Sequence, residues 1–188
     1  MTKRICFLYT ETNGLHQTND IITKKNLYCF ARPVVINYEI GIVTNNEYTQ
    51  EKNIKYIIKP RCMHIPEETI KFHGITQDIA TNKGIDPIDV LNFLNIDLKN
   101  VDILVSHNID FHIKTIIAEA LKYNISIDFN KFVIIDTISF FHSYGFIKLK
   151  ELALKLKIKD ISDDNKHNVD IIKNVFFKLY SKFQKSLK

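Results

Sequence analysis

Leu8-Tyr9-Thr10-Glu11-Thr12-Asn13-Gly14 is the stretch of this sequence that decides the fold. An apolar run, residues 5–8, leads into it, and a polar turn that ends in Gly14 closes it. This pattern is typical of a buried strand whose last residues reach the edge of a sheet and hold metal ions there. An Asp-x-Glu pair would bind two ions at such an edge. Here Glu11 is present, but Tyr9 occupies the position of the aspartate.

The length and composition bound the class of protein. The chain has 188 residues, of which 45% are hydrophobic, so we expect a single domain over residues 1–188 with its own core. No apolar run approaches the roughly 18 residues that span a bilayer, and the N-terminus lacks the pattern of a secretion signal. The three cysteines are widely spaced, which favours reduced thiols and an intracellular, cytoplasmic or nuclear, location.

The net charge of +5 is a second general feature. A basic domain often binds a polyanion, and this excess of lysine is therefore compatible with a nucleic-acid partner. The whole chain is also rich in Lys, Asn and Ile, which AT-rich coding would produce without selection for binding. Charge alone leaves these two interpretations open.

Hydrophobic periodicity predicts strands and helices in a mixed order. Residues 33–43 and 53–59 are predicted as two strands of a hairpin, joined by the polar segment 44–52. Three strands early in the chain and two strands among helices later predict an α/β fold with a mixed five-stranded sheet, covered by helices on both faces. Further strands are predicted at residues 4–10, 101–106 and 132–135, and helices at 66–72, 87–94, after 108, around 149–156 and at 167–183.

Four short motifs in this order resemble the DEDDh group of 3′–5′ exonucleases, which have a ribonuclease H-like fold. The first is Tyr9-Thr10-Glu11-Thr12-Asn13-Gly14, where the family has Asp-Thr-Glu-Thr-x-Gly. The second, Ile65-Pro66-Glu67-Glu68-Thr69-Ile70-Lys71-Phe72-His73-Gly74-Ile75-Thr76, is similar to Ile-Pro-x-x-Ala-x-x-x-His-Gly-Ile-Thr. The others are Val105-Ser106-His107-Asn108-Ile109-Asp110-Phe111-His112, against Val-x-His-Asn-x-x-Phe-Asp, and His167-Asn168-Val169-Asp170-Ile171-Ile172, against His-x-Ala-x-x-Asp.

The resemblance implies a site of four carboxylates and a histidine. In the family, the carboxylates hold two Mg²⁺ or Mn²⁺ ions that activate water, and the histidine is the general base. The corresponding positions in this sequence are Tyr9, Glu11, His112, His167 and Ile172. Glu11 and His167 keep the family's residue types, and three of the four carboxylates are replaced.

Each replacement removes a ligand that a hard cation prefers. The phenol of Tyr9 is neutral at ordinary pH, His112 suits zinc better than magnesium, and Ile172 cannot bind a metal at all. Asp170 does not substitute for Ile172, because residues two apart on a helix point about 200° apart. We therefore expect no metal cofactor, with Glu11 as the only acidic ligand retained; an active protein would use Mg²⁺ or Mn²⁺.

The neighbouring polar residues have structural interpretations beside the functional ones. Asp110 is predicted to lie at the start of its helix, and Asp136 to hydrogen-bond nearby backbone amides at the end of its strand. His73 is predicted to be structural, and His112 to be a hydrogen-bonded, partly buried histidine. Tyr9 is expected to fill the space that the metal ions vacate, and Asn108 either to hydrogen-bond the turn or to contact a ligand.

Three functions are compatible with these residues. The first is an inactive relative of the exonucleases that binds nucleic acid or serves as a scaffold in replication or RNA processing. The second is an active 3′–5′ exonuclease with a rearranged metal site that uses Glu11, His112 and His167, with Asp110 or Asp136. The third is a purely structural subunit of a larger complex.

The expected partners are DNA or RNA, a protein in a larger assembly, or both, and no membrane. For nucleic acid, we expect lysines near the motif-bearing ends to bind phosphates, with Lys150 among them. The other positions predicted to contact nucleic acid are Thr10, Thr12, His107, Asn108, Lys148 and Lys166.

Overall fold

A five-stranded mixed sheet forms the centre of the molecule, with the strand order β3-β2-β1-β4-β5. The computed structural model describes residues 2–45, 47–144, 146–158 and 168–186. The strands are β1 (Lys3–Thr12), β2 (Pro33–Thr44), β3 (Glu47–Ile57), β4 (Ile103–Ser106) and β5 (Val133–Asp136). The helices are α1 (Glu67–His73), α2 (Gln77–Lys83), α3 (Pro87–Asp97), α4 (Ile109–Lys122), α5 (Leu149–Lys155) and α6 (Asn168–Ser186), with short 3₁₀ segments at Leu27–Cys29, Leu98–Asn100 and Thr137–Tyr144.

Strand β1 is the central strand, and its pairing explains its apolar composition. It runs antiparallel to β2, with Thr10 opposite Ile36, and parallel to β4, with Phe7 opposite Val105. A strand that is paired on both edges and covered on both faces is buried throughout, as residues 5–8 are. Because β1 and β4 are parallel neighbours, their carboxyl ends lie side by side at one edge of the buried sheet.

Alternate residues of β1 face two separate cores. Cys6 and Leu8 pack with apolar residues of β2, α3 and α4 on one face of the sheet. Ile5 and Phe7 pack on the other face with α5 and α6. Because successive side chains of a strand point to opposite faces, residues that follow along β1 also divide between the two helical layers.

Helix α6 contributes an apolar stripe to the core. Val169, Ile172, Phe176 and Leu179 are all buried in the core between α6, α5 and the sheet. Full burial of one such side chain contributes about 1.5–3 kcal/mol to stability. The stripe fixes the first turn of α6 against the sheet, close to the carboxyl end of β1.

The structure confirms the predicted fold class and corrects two details. The predicted hairpin is present, but segment 44–52, which we expected to be its connection, is mostly strand, since β3 begins at Glu47. Strand β3 is largely exposed, so its polar residues reflect its place at the edge of the sheet. Helix α2 was not predicted; Thr76 caps it through a 3.1 Å hydrogen bond from the Ile79 amide.

Candidate functional site

A groove with a volume of about 800 Å³ opens where β1 and β4 end and α4 and α6 begin. The carboxyl ends of neighbouring parallel strands are the usual place for ligands in sheets of this kind. Most of the positions predicted from the sequence lie along it. Its lining comprises Tyr9, Thr10, Glu11, Thr12, Gly14, Leu15, Thr69, Lys71, Phe72, His73, His107, Asn108, Phe111, His112, Phe146, Lys148, Leu149, Lys150 and Asn168.

Tyr9 places its ring in the groove against His112, with ring centroids 4.7 Å apart. Burial, with the nearby charge of Glu11, raises the pKa of the Tyr9 phenol above its ordinary value. The phenol is therefore neutral at any physiological pH and offers no anionic oxygen. That Tyr9 fills the space of the absent metal ions stays a prediction.

His112 is buried, and both of its ring nitrogens are engaged within the protein. Nδ1 accepts a hydrogen bond from the Thr10 amide at 3.1 Å and lies 2.8 Å from Thr10 Oγ1. Nε2 therefore carries the proton, which it donates to the His107 carbonyl at 3.1 Å. Burial lowers the pKa of the His112 imidazole to about 3, so the ring is neutral. His112 was predicted to be hydrogen-bonded and partly buried; the hydrogen bonds are present, and the burial is more complete than predicted.

Among the described residues that line the groove, Glu11 is the one carboxylate. Its Oε1 accepts a hydrogen bond of 3.0 Å from the side-chain amide of Asn168, the first residue of α6. Burial raises the pKa of the Glu11 carboxyl to about 7, against the lowering effects of that hydrogen bond and of Lys55 and Lys150. A substantial fraction of this carboxyl is thus neutral near pH 7.

Ile172 lies in the core between α6 and the sheet, fully buried and outside the lining of the groove. Asp170, on the same helix, points elsewhere, and its Oδ1 pairs with Lys173 Nζ at 3.1 Å. Lys173 Nζ also contacts both carboxylate oxygens of the buried Glu39 at 2.8 Å. Asp170 therefore belongs to a network over β2 and does not replace the missing carboxylate.

The two other acidic residues considered from the sequence have structural surroundings. Asp136 accepts hydrogen bonds of 2.9–3.0 Å from the backbone amides of Asn108, Ile109 and Ile138. Asp110 lies in the first turn of α4, with an exposed carboxylate 2.8 Å from Lys114 Nζ. Both structural predictions are confirmed, and neither residue lines the groove.

His107 supports one wall of the groove. Its Nε2 donates to the Ile147 carbonyl at 2.8 Å, and its Nδ1 lies 2.8 Å from Thr137 Oγ1. Burial lowers the pKa of His107, so the ring is neutral. These bonds fix the segment that precedes α5. The nucleic-acid contact predicted for His107 stays a prediction, and it would involve the ring carbons.

The two threonines of the first motif also line the groove. The Thr10 hydroxyl contacts His112, as described, and the Thr12 hydroxyl donates to the Gly14 carbonyl at 2.7 Å. Asn108 lines the groove at the N-cap of α4, in a left-handed conformation. Lys148 lines the wall before α5, and His167 and Lys166 lie outside the described residues.

His73, at the end of α1, also lines this groove. Its Nδ1 accepts a hydrogen bond from the Ile75 amide at 3.1 Å, which supports the structural role predicted for it. Its buried Nε2 meets no hydrogen-bond partner among the residues the structure describes. Burial lowers the pKa of His73, and the nearby Thr12 carbonyl partly opposes this lowering.

Several groove residues were not predicted from the sequence. They are Lys71, Phe72, Phe111, Phe146 and Asn168. Phe72 lies within the second motif. An apolar residue between the polar Lys71 and His73 was the one sequence feature that could have marked it as a groove residue. Phe146 and Asn168 could be placed only once the course of the chain around the groove was known.

The described residues at the family's metal-binding positions do not fit a pair of Mg²⁺ ions. Such ions need several converging anionic oxygens, and these positions supply the single carboxylate of Glu11. Within the described ranges, no three His, Cys, Asp or Glu side chains are grouped so that they could hold a metal ion. Among the helices of the same ranges, none is long and apolar enough to cross a membrane.

The sheet order, the flanking helices and the groove at the strand ends define a ribonuclease H-like exonuclease fold. A family model described as Exonuclease matches residues 8–168, and the chain belongs to this exonuclease family. A comparison with curated protein sequences finds no match.

Solved structures of Exonuclease I share this fold. The E. coli enzyme in complex with a dT13 oligonucleotide aligns with a TM-score of 0.73 at 15% identity, over 98% of this chain and 42% of the enzyme. Exonuclease I from Methylocaldum szegediense aligns with a TM-score of 0.72 at 13% identity, over 95% of this chain and 40% of the enzyme. This chain thus spans less than half of the length of these relatives.

Proposed function

We propose that this chain binds nucleic acid through the exonuclease fold without hydrolysing it. The observation that carries the proposal is the state of His112, which occupies a position that the family resemblance assigns to a metal-binding aspartate. One ring nitrogen accepts the Thr10 amide proton, and the other donates to the His107 carbonyl. The imidazole therefore has no lone pair available for a metal ion.

The charges around the groove support a polyanionic ligand. Lys71, Lys148 and Lys150 line it, whereas Glu11 is the one acidic side chain that lines it among the residues the structure describes. Because burial raises the pKa of Glu11 to about 7, its negative charge is also incomplete near neutral pH. A cluster of carboxylates repels phosphate unless metal ions neutralise their charge. Because most of these carboxylates are replaced here, a phosphate can enter the groove without metal ions.

Exonuclease I supports the choice of nucleic acid among polyanions. Its structures hold dT13 or dA16 oligonucleotides on a fold that this chain shares. At 13–15% identity that likeness gives the fold alone, so the identity of the ligand is part of the proposal. A place in replication or RNA processing, and a role as a scaffold beside a protein partner, belong to the same proposal.

An active enzyme with a rearranged metal site receives less support. The rearrangement would draw on Asp110 or Asp136, but Asp110 is exposed and paired with Lys114. Asp136 already accepts three backbone hydrogen bonds. If it turned towards a metal ion, the backbone amides of Asn108 and Ile109 at the start of α4 would lose these hydrogen bonds. A purely structural subunit would not need the lysines that line the groove.

The decisive experiment measures binding and hydrolysis in the same samples. Labelled single strands of DNA and RNA are incubated with the full chain in Mg²⁺, in Mn²⁺ and in EDTA. We expect fluorescence anisotropy to report salt-sensitive binding that EDTA leaves unchanged, and gel analysis to show intact strands. Metal-dependent degradation that Glu11→Ala abolishes and Glu47→Ala keeps would overturn the proposal.

The control variant separates a site effect from a general charge effect. Glu47 is an exposed glutamate on β3 that does not line the groove, so Glu47→Ala removes the same charge from another surface. Degradation that both variants retain equally would indicate a contaminating nuclease. Absence of binding to every strand would contradict nucleic-acid binding and leave the structural subunit as the remaining function.

A further inference from the structure

The two edge strands of the sheet differ in how well they are protected against pairing with another chain. β3, at one edge, presents charged side chains to solvent, among them Glu51, Lys52 and Lys55. Charged residues, above all lysine, are the usual means by which a protein keeps an exposed edge strand unpaired. β5, at the other edge, is apolar over residues 133–135 and contains neither lysine nor proline. This edge therefore lacks the protection that the first edge has.

Apolar surface is exposed on both faces of β5. Val133 is 61% exposed and Ile134 is 41% exposed, and neighbouring side chains of a strand point to opposite faces. Within residues 2–45, 47–144, 146–158 and 168–186, β4 is the one strand that pairs with β5. The helices that cover the sheet thus stop short of this edge, and a further strand can approach it in the plane of the sheet.

The pairing of β5 with β4 fixes which backbone groups face the open edge. The N–H of Val133 donates to the Asp102 carbonyl at 2.9 Å, in a parallel ladder that continues to the end of β5. Alternate residues of a strand direct their backbone groups to opposite sides, so Val133 and Ile135 pair with β4. The N–H and C=O of Ile134 therefore point away from the sheet.

We propose that the edge of β5 pairs with the same edge of a second copy of this chain, antiparallel about a two-fold axis at Ile134. A two-fold interface uses one patch twice, so the donors of the patch must match its own acceptors. The outward N–H and C=O of Ile134 meet this requirement, because each copy offers a donor to the acceptor of the other. By the same alternation, the Asp136 N–H of one copy meets the Phe132 carbonyl of the second copy.

The side chains match in the same register. Val133 lies opposite Ile135 of the second copy on one face of the sheet, and the two Ile134 side chains meet on the other face. Cross-strand pairs of β-branched apolar residues stabilise a sheet, and this pairing removes the exposed apolar surface from water.

The charges at the two ends of the strand are complementary in this register. Lys131 is exposed, and its ammonium group lies 4.9 Å from the centroid of the Phe132 ring. Phe132 lies opposite Asp136 of the second copy, so each ammonium group is brought towards a carboxylate across the axis. Opposite charges across an interface favour one register over others. The edge therefore specifies a second copy of itself as its occupant.

The two-fold arrangement leaves both grooves open. No residue of β5 lines the groove, and β5 runs parallel to β4, whose end helps to form it. An antiparallel pair of β5 strands joins the two sheets into one and places the two grooves at opposite ends of it. The inference is therefore independent of the ligand that the groove binds.

Sedimentation velocity of the full chain, over a range of concentrations, tests the pairing. A short strand buries less surface than a standard interface, so we expect a reversible dimer with a dissociation constant on the order of 10 µM. Ile134→Lys should remain monomeric throughout, because it places two ammonium groups opposite each other at the axis. Ile21→Lys is the matched control, since Ile21 is 85% exposed and lies outside the sheet.

A cysteine at the axis tests the register. Residues that face each other in a hydrogen-bonded antiparallel pair have Cα atoms about 5.5 Å apart, which is within the range of about 4.4–6.8 Å that a disulfide spans. Cys29 and Cys62 are the natural cysteines that are not buried, so both are first replaced by serine. In this background, mild oxidation should link Ile134→Cys into a covalent dimer and leave Ile21→Cys monomeric.

Three results would overturn the pairing. The first is a wild-type chain that stays monomeric at every concentration, which would leave the edge to another occupant. The second is a dimer that Ile134→Lys retains or that Ile21→Lys loses to the same extent, since its interface would lie elsewhere. The third is cross-linking of Ile134→Cys no faster than that of Ile21→Cys. The cysteine variant keeps an uncharged side chain at the edge, so it decides the question even where Ile134→Lys does not fold.

Discussion

The imidazole of His112 is bound to Thr10 in a way that fixes its protonation state. Nδ1 lies 3.1 Å from the Thr10 amide nitrogen and 2.8 Å from Thr10 Oγ1. An amide nitrogen can only donate, so Nδ1 must be unprotonated in the folded protein. One pair of residues thus joins the end of β1 to α4, and it makes the stability of the fold depend on a neutral histidine.

The contribution of His112 to stability should therefore fall as the pH is lowered below neutral, whereas the raised pKa of Glu11 acts in the opposite direction. Burial lowers the pKa of His112 to about 3, whereas an unfolded histidine takes up its proton near pH 6.5. Between these values the unfolded chain binds a proton that the folded chain does not, so acid favours unfolding. We expect His112 to account for a loss of about 2 kcal/mol between pH 7 and pH 5, measured by urea denaturation.

His112→Gln tests the assignment of this pH dependence. The amide of glutamine can accept from Thr10 and does not titrate, so the variant should be less sensitive to pH between 5 and 7. His64→Gln is the matched control, since His64 is exposed and should leave the wild-type profile unchanged. An equal pH dependence in wild type and His112→Gln would show that other groups cause it.

Affinity for an anionic strand should rise as the pH falls from 8 to 6. Burial raises the pKa of the Glu11 carboxyl to about 7, and its protonation removes the one negative charge that the described residues place in the lining of the groove. One unit charge near a phosphate is worth about 1 kcal/mol in a water-like medium, or about fivefold in affinity. Anisotropy titrations of a labelled strand at pH 8 and pH 6 measure this change in affinity.

Glu11→Gln should abolish this pH dependence and bind at pH 8 as tightly as the wild type does at pH 6. The substitution keeps an oxygen that can accept from Asn168. Glu47→Gln should retain the wild-type pH dependence. Affinity that falls with acidification, or a profile that Glu11→Gln does not alter, would contradict the role of Glu11.

The sequence predicted the sheet and most of the described residues that line the groove near the end of β1, because both follow from local patterns. Apolar residues 5–8 indicated a buried strand, and the polar residues after them indicated its end. The boundaries of β3 were missed, because an exposed edge strand carries polar residues that are otherwise typical of a loop. Helix α2 was missed because Ala80 is its one buried residue, too few to give a periodic signal.

The chemistry of the groove depended on contacts between residues far apart in the sequence. Nothing local to His112 indicates that Thr10 and His107 occupy both of its nitrogens. The hydrogen bond between Glu11 and Asn168 spans 157 positions, and the pKa of Glu11 depends on its burial in the assembled groove. Patterns of residue type identify candidates for a site, and long-range packing decides their protonation and their free lone pairs.

Ile172→Asp should destabilise the protein strongly. The side chain is fully buried among Ile5, Phe7 and the apolar residues of α5 and α6, so an aspartate there would be an unpaired buried charge. We expect a loss of about 4 kcal/mol in the free energy of unfolding, against about 1 kcal/mol for Ile172→Val. Urea denaturation of both variants measures the difference. A loss for the aspartate no larger than that for valine would place residue 172 in contact with solvent or a cation.

Carboxylates at positions 9 and 112 should create a magnesium site beside Glu11. Both side chains line the groove with Glu11, so Tyr9→Asp combined with His112→Asp brings three carboxylates together. Their mutual repulsion should lower the melting temperature without metal, and Mg²⁺ should restore part of it. Mg²⁺ at 100 times its dissociation constant should stabilise the folded variant by about 2.7 kcal/mol. This corresponds to a rise in melting temperature of roughly 5–10 °C for a chain of this size.

The matched control is Tyr9→Asn combined with His112→Asn, which has nearly the same shape without the charges. We expect Mg²⁺ to leave the melting temperature of this variant and of the wild type unchanged, because neither has the three anionic oxygens that the ion needs. The aspartate variant should still hydrolyse nucleic acid poorly, since Ile172 supplies no fourth carboxylate. A magnesium-dependent rise in the wild type as large as that in the aspartate variant would show that the natural groove already holds a metal, and that the missing carboxylates do not decide its chemistry.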